Sequence, residues 1–551
     1  MNLSFKKKIL AGITLTTSLF LFACGGNDKD EPEEEITEDD IGTEHAMEDF
    51  KVGDTFHSDE PLSFSFLYRD HPNYPIDEDW EFYQMLEEKT NVTFDNVIAP
   101  LSDFDERRSV MIAAGDAPEI ISNTYPGDES QFVGSGAILP ISDYVHLMPH
   151  LSDRIEKWGL EEDFDNLRQE DGKYYMLPGI EENVRHDYTL MINRTVFDEY
   201  GIEDPESWDE LRDALVILRD ETGNVPFNDQ WQGDALLNYA AASFDTVAGW
   251  GFGGGVIFDD EANEFKYAPM EDGYREMVEY FAGLVDDGLM DPESFTQDDE
   301  IAQNSFNNAN SYVISSNSQT VVQQRDSMNE IHGEDKYEIG KIVSPEGPAG
   351  PYVGGDHWVA GIMFNSNVKD NDDFLAMLQF VDWLYYSDEG NELAWWGEEG
   401  NTFEKTDDVP GGYRPLDPIE YLGLNPTGTK NLQEDYGFRN GIIATGGKEE
   451  LLRSIMDQEE IDFQDDTNAI REVVDPDPVY PLTESEQEEL SLIGTPLQDT
   501  TETYTLRFIT GQYELDRWDE FMDDLENQNV EQYLDTINNA YKNFQDTLEN
   551  E

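Results

Sequence analysis

From Leu62 onward the sequence alternates between two apolar periods, one of two residues and one of three to four. That alternation restricts the possible folds more than any other feature. Ser63-Phe64-Ser65-Phe66-Leu67-Tyr68 reads as a strand, Glu81 to Thr90 as an amphipathic helix, and Val92-Thr93-Phe94 as a second strand. Similar strand-like runs recur at Ala117 to Ser122, Tyr188 to Asn193, Ser311 to Ser315 and Val359 to Phe364. Strands interleaved with helices predict an α/β fold, and the length of the chain predicts two large lobes. Near the end, Trp518, Phe521 and Leu525, then Tyr533, Ile537, Tyr541 and Phe544, repeat at helical spacing and predict a packing face. Trp80 and Trp383 sit on apparent helices and are assigned to the core.

Cys24 is the only cysteine of 551 residues, so no disulfide can staple the fold, and nothing suggests a redox or zinc site. It follows a basic start (Lys6, Lys7, Lys8) and an apolar run from Ile9 to Ala23 that is short for a bilayer span. Leu21-Phe22-Ala23-Cys24-Gly25 resembles the bacterial lipobox, which implies a signal peptide at 1–23 and a lipidated, palmitate-bearing Cys24 as the mature N-terminus. Two acyl chains hold a protein on a membrane stably. Residues 24–61, acidic and poor in periodic apolar positions, read as the lipidated Cys and a flexible linker. The chain is therefore expected on the extracellular face of the cell membrane, or in the periplasm of a host with two membranes, its lipid anchor being the only membrane contact.

Acidic residues outnumber basic ones by 122 to 33, giving a formal net charge of -89 spread along the whole chain. Such a surface repels nucleic acid and anionic lipid, so neither is expected as a partner. Self-repulsion on this scale destabilises a compact state in dilute buffer, whereas ~1 M salt shortens the Debye length to roughly 3 Å. The composition thus indicates a halophilic acidic surface. Disorder is excluded because 38% hydrophobic and 12% aromatic residues supply an ample core.

Several phrases resemble one family in order. Ala113-Ala114-Gly115-Asp116-Ala117-Pro118-Glu119-Ile120-Ile121 is followed by Gly136-Ala137-Ile138-Leu139-Pro140-Ile141-Ser142-Asp143 and Asp171-Gly172-Lys173-Tyr174-Tyr175-Met176-Leu177-Pro178. Then come Asn193-Arg194 with Phe197, Pro205 with Trp208-Asp209-Glu210-Leu211, and Gly288-Leu289-Met290-Asp291-Pro292-Glu293. Trp396-Gly397-Glu398-Glu399-Gly400 and Phe508-Ile509-Thr510-Gly511 with Trp518-Asp519 complete the set. The set resembles the extracellular solute-binding proteins of carbohydrate ABC importers (family 1), in their long lipoprotein subgroup, and covers almost everything after Leu62. The resemblance implies a two-lobed, periplasmic-binding-protein-like fold (type II) with discontinuous lobes joined by hinge strands near Pro178, Val343 and Leu393. The N-terminal lobe would combine 62–178 with 345–392, and the C-terminal lobe 179–344 with 393–551. It also implies a monomer that closes on its ligand and delivers it to ABC transporter permease subunits. Members of the subgroup often carry a calcium loop after the helix matching Trp208 to Arg219. Here Asp220-Glu221-Thr222-Gly223-Asn224-Val225-Pro226-Phe227 is too short for six oxygen ligands, and no metal or cofactor is expected.

An oligosaccharide ligand requires flat aromatic faces ringed by amide and carboxylate groups. Aromatics in loops with polar or glycine neighbours are the candidates: Trp231, Trp250, Trp358, Trp395 and Trp396. Asn123 and Tyr125 join them because they follow a strand, and open α/β sheets bind ligands at strand carboxyl ends. Asp356 is a ligand-binding candidate, with Glu182 and Arg439 as further polar partners. No catalytic residue is proposed, since there is no Gly-x-Ser-x-Gly elbow and no His-Glu-x-x-His, and Gly249-x-Gly251-x-x-Gly254 lacks a preceding strand. Two alternatives stay open: the same fold binding a peptide or another polar solute, and a secreted polysaccharide-degrading enzyme using a carboxylate pair hidden among the 122 acids.

Overall fold

A computed structural model describes residues 36–72, 74–249, 255–421, 424–425 and 427–550. The residues read as a signal peptide, Cys24, the start of the expected linker and Trp250 therefore lie outside the described residues. Residues 37–551 form one compact unit.

The alternation in the sequence becomes two sheets. In the first, β1 (Leu62–Asp70) pairs in parallel with β2 (Val92–Pro100) on one side and β3 (Ile120–Thr124) on the other. The strand Trp358–Phe364 then runs antiparallel between β3 and β4 (Met176–Glu181). Residues Gly446–Gly447 close the order as a short parallel edge beside β4. Leu67, Ile121, Met176 and Met363 pack together on one face. On the other, Phe64, Phe66 and Phe94 meet Phe380 directly or through one another. Phe380 belongs to the helix Phe374–Tyr386, buried at every position, which explains why that helix is apolar all round.

The second sheet has β5 (Thr189–Asn193) at its centre, antiparallel to Val313–Ser316 and Ile339–Lys341. The two-residue period of β5 sends Leu190 and Ile192 into a large core built by the helices Trp208–Thr222, Asp272–Asp286 and Glu484–Ile509. Met191 points the other way, to Phe306, Ile314 and Ile339. The C-terminal helices Trp518–Asn527 and Val530–Asn550 bury Trp518, Phe521, Leu525, Ile537, Tyr541 and Phe544, the face read from their spacing.

Two segments sit elsewhere than the sequence predicts. Residues from Thr37 to Pro61 pack on the first lobe instead of forming a free linker. Phe56 is fully buried against Phe380, Phe50 meets His150 at a tilt with ring centroids 5.3 Å apart, and backbone bonds join Gly42 to Leu375 and Glu44 to Asp372. Two phenylalanines in an acidic stretch anchor it together with hydrogen bonds such as those between Met47 and Gln379. Residues 393–456, assigned from sequence to the C-terminal lobe, pack on the first sheet. Phe438 meets Phe82, the Trp80 indole donates to the Glu434 carbonyl, and Gly446–Gly447 extends the sheet itself. The chain therefore crosses between sheets at 182–188, 342–357 and 454–457, the last well beyond Leu393, which is buried inside the helix Asp388–Trp396.

Candidate functional site

Because β1, β3 and β4 run parallel and Trp358–Phe364 runs against them, one edge of the first sheet gathers the ends of β1 and β3, Glu181, Glu182 and the start of the Trp358 strand. The chain leaves this edge at 182–188 to enter β5, whose first residue, Thr189, pairs with Ser316. Both sheets thus present loop-bearing edges to the same crossing segment, the position where open α/β sheets hold ligands.

On the first edge, Asn123 has φ 53° and is buried, with its Oδ1 lacking any hydrogen-bond partner. The buried Arg108 fixes the loop that follows: its guanidinium donates to the Asn123 carbonyl at 2.6 Å and to Asp128 Oδ2 at 3.1 Å, and Asp128 in turn accepts the Tyr125 N–H. Tyr125 is left 48% exposed, its backbone held and its ring facing solvent. Glu129 accepts from Gly127 N–H and Gln169, and burial pushes its carboxyl up to about 7. Trp358, half-buried, meets Phe164 edge-on at 5.3 Å, and its N–H donates to Asp356, which is exposed.

On the second edge, Trp231 is half-buried and lies edge-on to the exposed Tyr188, ring centroids 5.5 Å apart. Its backbone is unusual: Trp231, Gln232 and Gly233 have φ of 62°, 55° and 82° in succession. A non-glycine residue in this region carries a cost of about 1–3 kcal/mol, which persists only when its surroundings enforce it. The enforcement is visible. Trp231 N–H donates to Asp299 at 2.8 Å, and beneath it Asp229, fully buried, accepts from the Ser315 N–H at 2.6 Å and the Ser315 hydroxyl at 2.9 Å. Gln230 donates to the Ser315 carbonyl and receives a bond from Gln303. This buried network is the signal that sequence reasoning missed, because Asp229, Ser315 and Gln303 are far apart along the chain.

Burial pushes the Asp229 carboxyl up to about 7, from an ordinary value of 3.8, with the Ser315 bonds working in the opposite direction. Below about pH 4 both folded and unfolded states hold the proton; above about 7 neither does. Between them unfolding releases a proton, so rising pH weakens the fold by up to ~1.4 kcal/mol per unit. Asp229→Asn should flatten that part of the slope, measured by denaturant unfolding at pH 4.5, 5.5 and 6.5 in fixed high salt. A variant with an unchanged slope would remove Asp229 from the account.

Trp395 and Trp396, predicted to face the ligand, are buried. Trp396 is fully enclosed by Phe403, Tyr413 and Tyr421 and donates to Ser454 Oγ at 2.7 Å. Trp395 donates to the Ala444 carbonyl, and the Arg439 guanidinium covers its ring at 3.7 Å. Both lie in the last turn of the helix Asp388–Trp396, ended by Gly397 at φ 83°, so their glycine neighbour marks a helix end and not a binding loop. Glu182 accepts the Glu449 N–H at the first edge.

A cavity of about 1170 Å³ adjoins the crossing segment, and none of the seven predicted ligand-binding residues that are described lines it. The helices Ser318–His332 and Gln458–Ile470 supply its walls, Lys341 and Ile342 contribute to it, and Arg185 and Arg439 border it. Lys341 pairs with Glu460 at 2.7 Å and lies 3.9 Å from the Phe463 ring. Gln464 of the same helix grips the crossing segment: it accepts from His186 N–H at 3.1 Å and donates to the His186 carbonyl at 2.6 Å. Among the described residues no helix is long and apolar enough to cross a membrane, and no cluster of His, Cys, Asp and Glu could hold a metal ion.

The model of the bacterial extracellular solute-binding protein family matches residues 73–392, more than half of the chain. The chain is 26% identical over 318 residues to the fructooligosaccharide ABC transporter substrate-binding protein FusA of Streptococcus pneumoniae, a match spanning 54% of the chain and only 55% of that relative. It is 21% identical over 473 residues to the polygalacturonan/rhamnogalacturonan-binding protein YtcQ of Bacillus subtilis, covering 83% of the chain and 87% of the relative. Among solved structures, the alginate-binding protein AlgQ2 without calcium ion superimposes with a TM-score of 0.61 at 18% identity, over 89% of this chain and 99% of that one. The structural likeness shows the fold: a two-lobed α/β architecture of the solute-binding kind.

Proposed function

Since the chain belongs to the bacterial extracellular solute-binding protein family, we propose that it captures an oligosaccharide between its lobes and hands it to the permease of an ABC importer. The observation that carries this reading is the Tyr188–Trp231 pair, an aromatic surface held by strained backbone and a buried polar network at the edge that meets the crossing segment. Strain retained under an aromatic side chain has a rationale in ligand contact and little in packing, because Trp231 is only half-buried. At the edge of the first sheet, Tyr125 and Trp358 offer a second aromatic face, and the buried Asn123 Oδ1 lacks a partner. FusA and YtcQ carry names of carbohydrate binders, which supports the ligand class.

In this reading the protein is a receptor and not an enzyme, and works as a monomer. Lipidation of Cys24 tethers it to the outer face of the membrane, or in the periplasm of a host with two membranes. The excess of acid keeps it soluble in a salt-rich surrounding.

Trp231→Gly tests the aromatic surface cleanly, since glycine adopts φ 62° without penalty while losing the ring. Stability should stay within about 1 kcal/mol of the parent or rise. Affinity for the cognate oligosaccharide should fall by about 2 kcal/mol, roughly 30-fold. Ligand-induced melting shifts check both: a ligand at 100 times its Kd adds about 2.7 kcal/mol to the parent. Unchanged affinity in the variant would exclude Trp231 from the site, and a melting response to peptides alone would replace the ligand class.

A further inference from the structure

The chain carries 33 basic residues against 122 acidic ones, yet the cavity beside the crossing segment is lined by five basic and seven acidic side chains. Positive charge is therefore concentrated there relative to the rest of the molecule. Three of the five are neutralised in place: Arg194 by Asp204, Arg325 by Glu459 and Lys341 by Glu460. The other two are held less directly: Arg185 has Asp187 Oδ1 at 3.7 Å, and the charges of both Arg185 and Arg439 act on the buried Glu181 carboxyl. Arg439 forms no ion pair or side-chain hydrogen bond among the described residues, and its guanidinium carbon sits 3.7 Å over the centre of the Trp395 ring. Stacking leaves the in-plane N–H donors free while fixing the direction in which they point. Arg185 donates to Ser318 Oγ at 3.2 Å and has Asp187 Oδ1 at 3.7 Å, but its Nε is buried without an acceptor. A guanidinium fork binds an anion through whichever of its N–H groups remain open, with bonds stronger than those between neutral groups.

Resting on the oligosaccharide reading, we propose that the ligand is an acidic oligosaccharide, and that Arg185 and Arg439 bind its anionic group, a sugar carboxylate or a sulfate ester, at the border of this cavity. The net charge of -89 does not oppose such a ligand where the protein works. In ~1 M salt the Debye length is roughly 3 Å, so distant acids are screened while a guanidinium in contact with the anion still acts. Trp395, buried and unable to stack on a sugar, gains a role as the plate on which Arg439 rests.

The test measures binding by the soluble chain, starting at Gly25, in 1 M KCl. The probes are a uronate trisaccharide, its carboxyl-reduced counterpart, the same neutral trisaccharide bearing one sulfate ester, and a panel of neutral oligosaccharides. The proposal expects at least one anionic probe to bind more than tenfold tighter than the neutral trisaccharide, and the two anionic arms tell carboxylate from sulfate. It also expects Arg439→Gln to cut that preference at least tenfold, with Arg185→Gln as the second variant should the first misfold. Neutral probes binding as tightly as anionic ones would overturn this inference and leave the oligosaccharide reading standing. A preference that survives in both variants would overturn the assignment to these arginines. Silence from every saccharide, neutral panel included, would bring down the oligosaccharide reading and this inference with it.

Discussion

Trp396→Ala should destabilise the protein by about 3–5 kcal/mol, the range for removing a buried aromatic from a packed core. The indole is fully buried, stacks 5.5 Å from Tyr413 and meets Phe403 and Tyr421, so truncation leaves a void that none of these rings can fill from its present position. It also withdraws the donor from Ser454 Oγ. Against a total stability of about 5–15 kcal/mol, such a loss is severe. Denaturant unfolding in high salt measures it directly. Ligand affinity in the surviving folded fraction should be unchanged, because Trp396 touches the core alone. A variant that folds normally but no longer binds would reverse this placement and restore Trp396 to the ligand site.

The contrast between Trp396 and Trp231 shows what was legible in the sequence. The strands were, because a two-residue period buries one face: Phe64, Phe66 and Tyr68 are inside as their alternation requires, and Leu190 and Ile192 lie opposite Met191. The terminal helices were legible for the same reason at a longer period. Pairings between distant segments were not. Gly446–Gly447 joins β4 with no side chain to betray it, and that edge helps fix residues 393–456 to the first lobe. Nor could glycine neighbours separate the two tryptophans. Gly397 follows Trp396 as the end of a buried helix, whereas Gly233, two residues after Trp231, belongs to a turn of positive φ that leaves the Trp231 ring half-buried. The difference lies in tertiary contacts from Asp229 and Asp299, which the local sequence does not contain.

Lys341→Met should cost about 3–5 kcal/mol, since removing one partner of a buried ion pair strands the other charge in the interior. Lys341 and Glu460 are 3% and 10% exposed, and Nζ to Oε2 is 2.7 Å. Burial disfavours the charge on Lys341 and lowers its proton affinity, with Glu460 acting against that effect, so the pair holds together by contact. Adding Glu460→Leu to Lys341→Met should restore most of the loss, the outcome seen when both members of a buried pair give way to apolar groups. Binding need not recover with it. Glu460 accepts from Gln464, whose amide clasps both backbone groups of His186 in the crossing segment, so the pair also governs how firmly that segment is held. The double variant should therefore refold to near-parent stability with ligand affinity shifted, because the segment between the two sheets has lost one of its supports. If stability and affinity both return to parental values, Lys341 and Glu460 are ordinary core, and control of closure must be sought in the crossings at 342–357 and 454–457 instead.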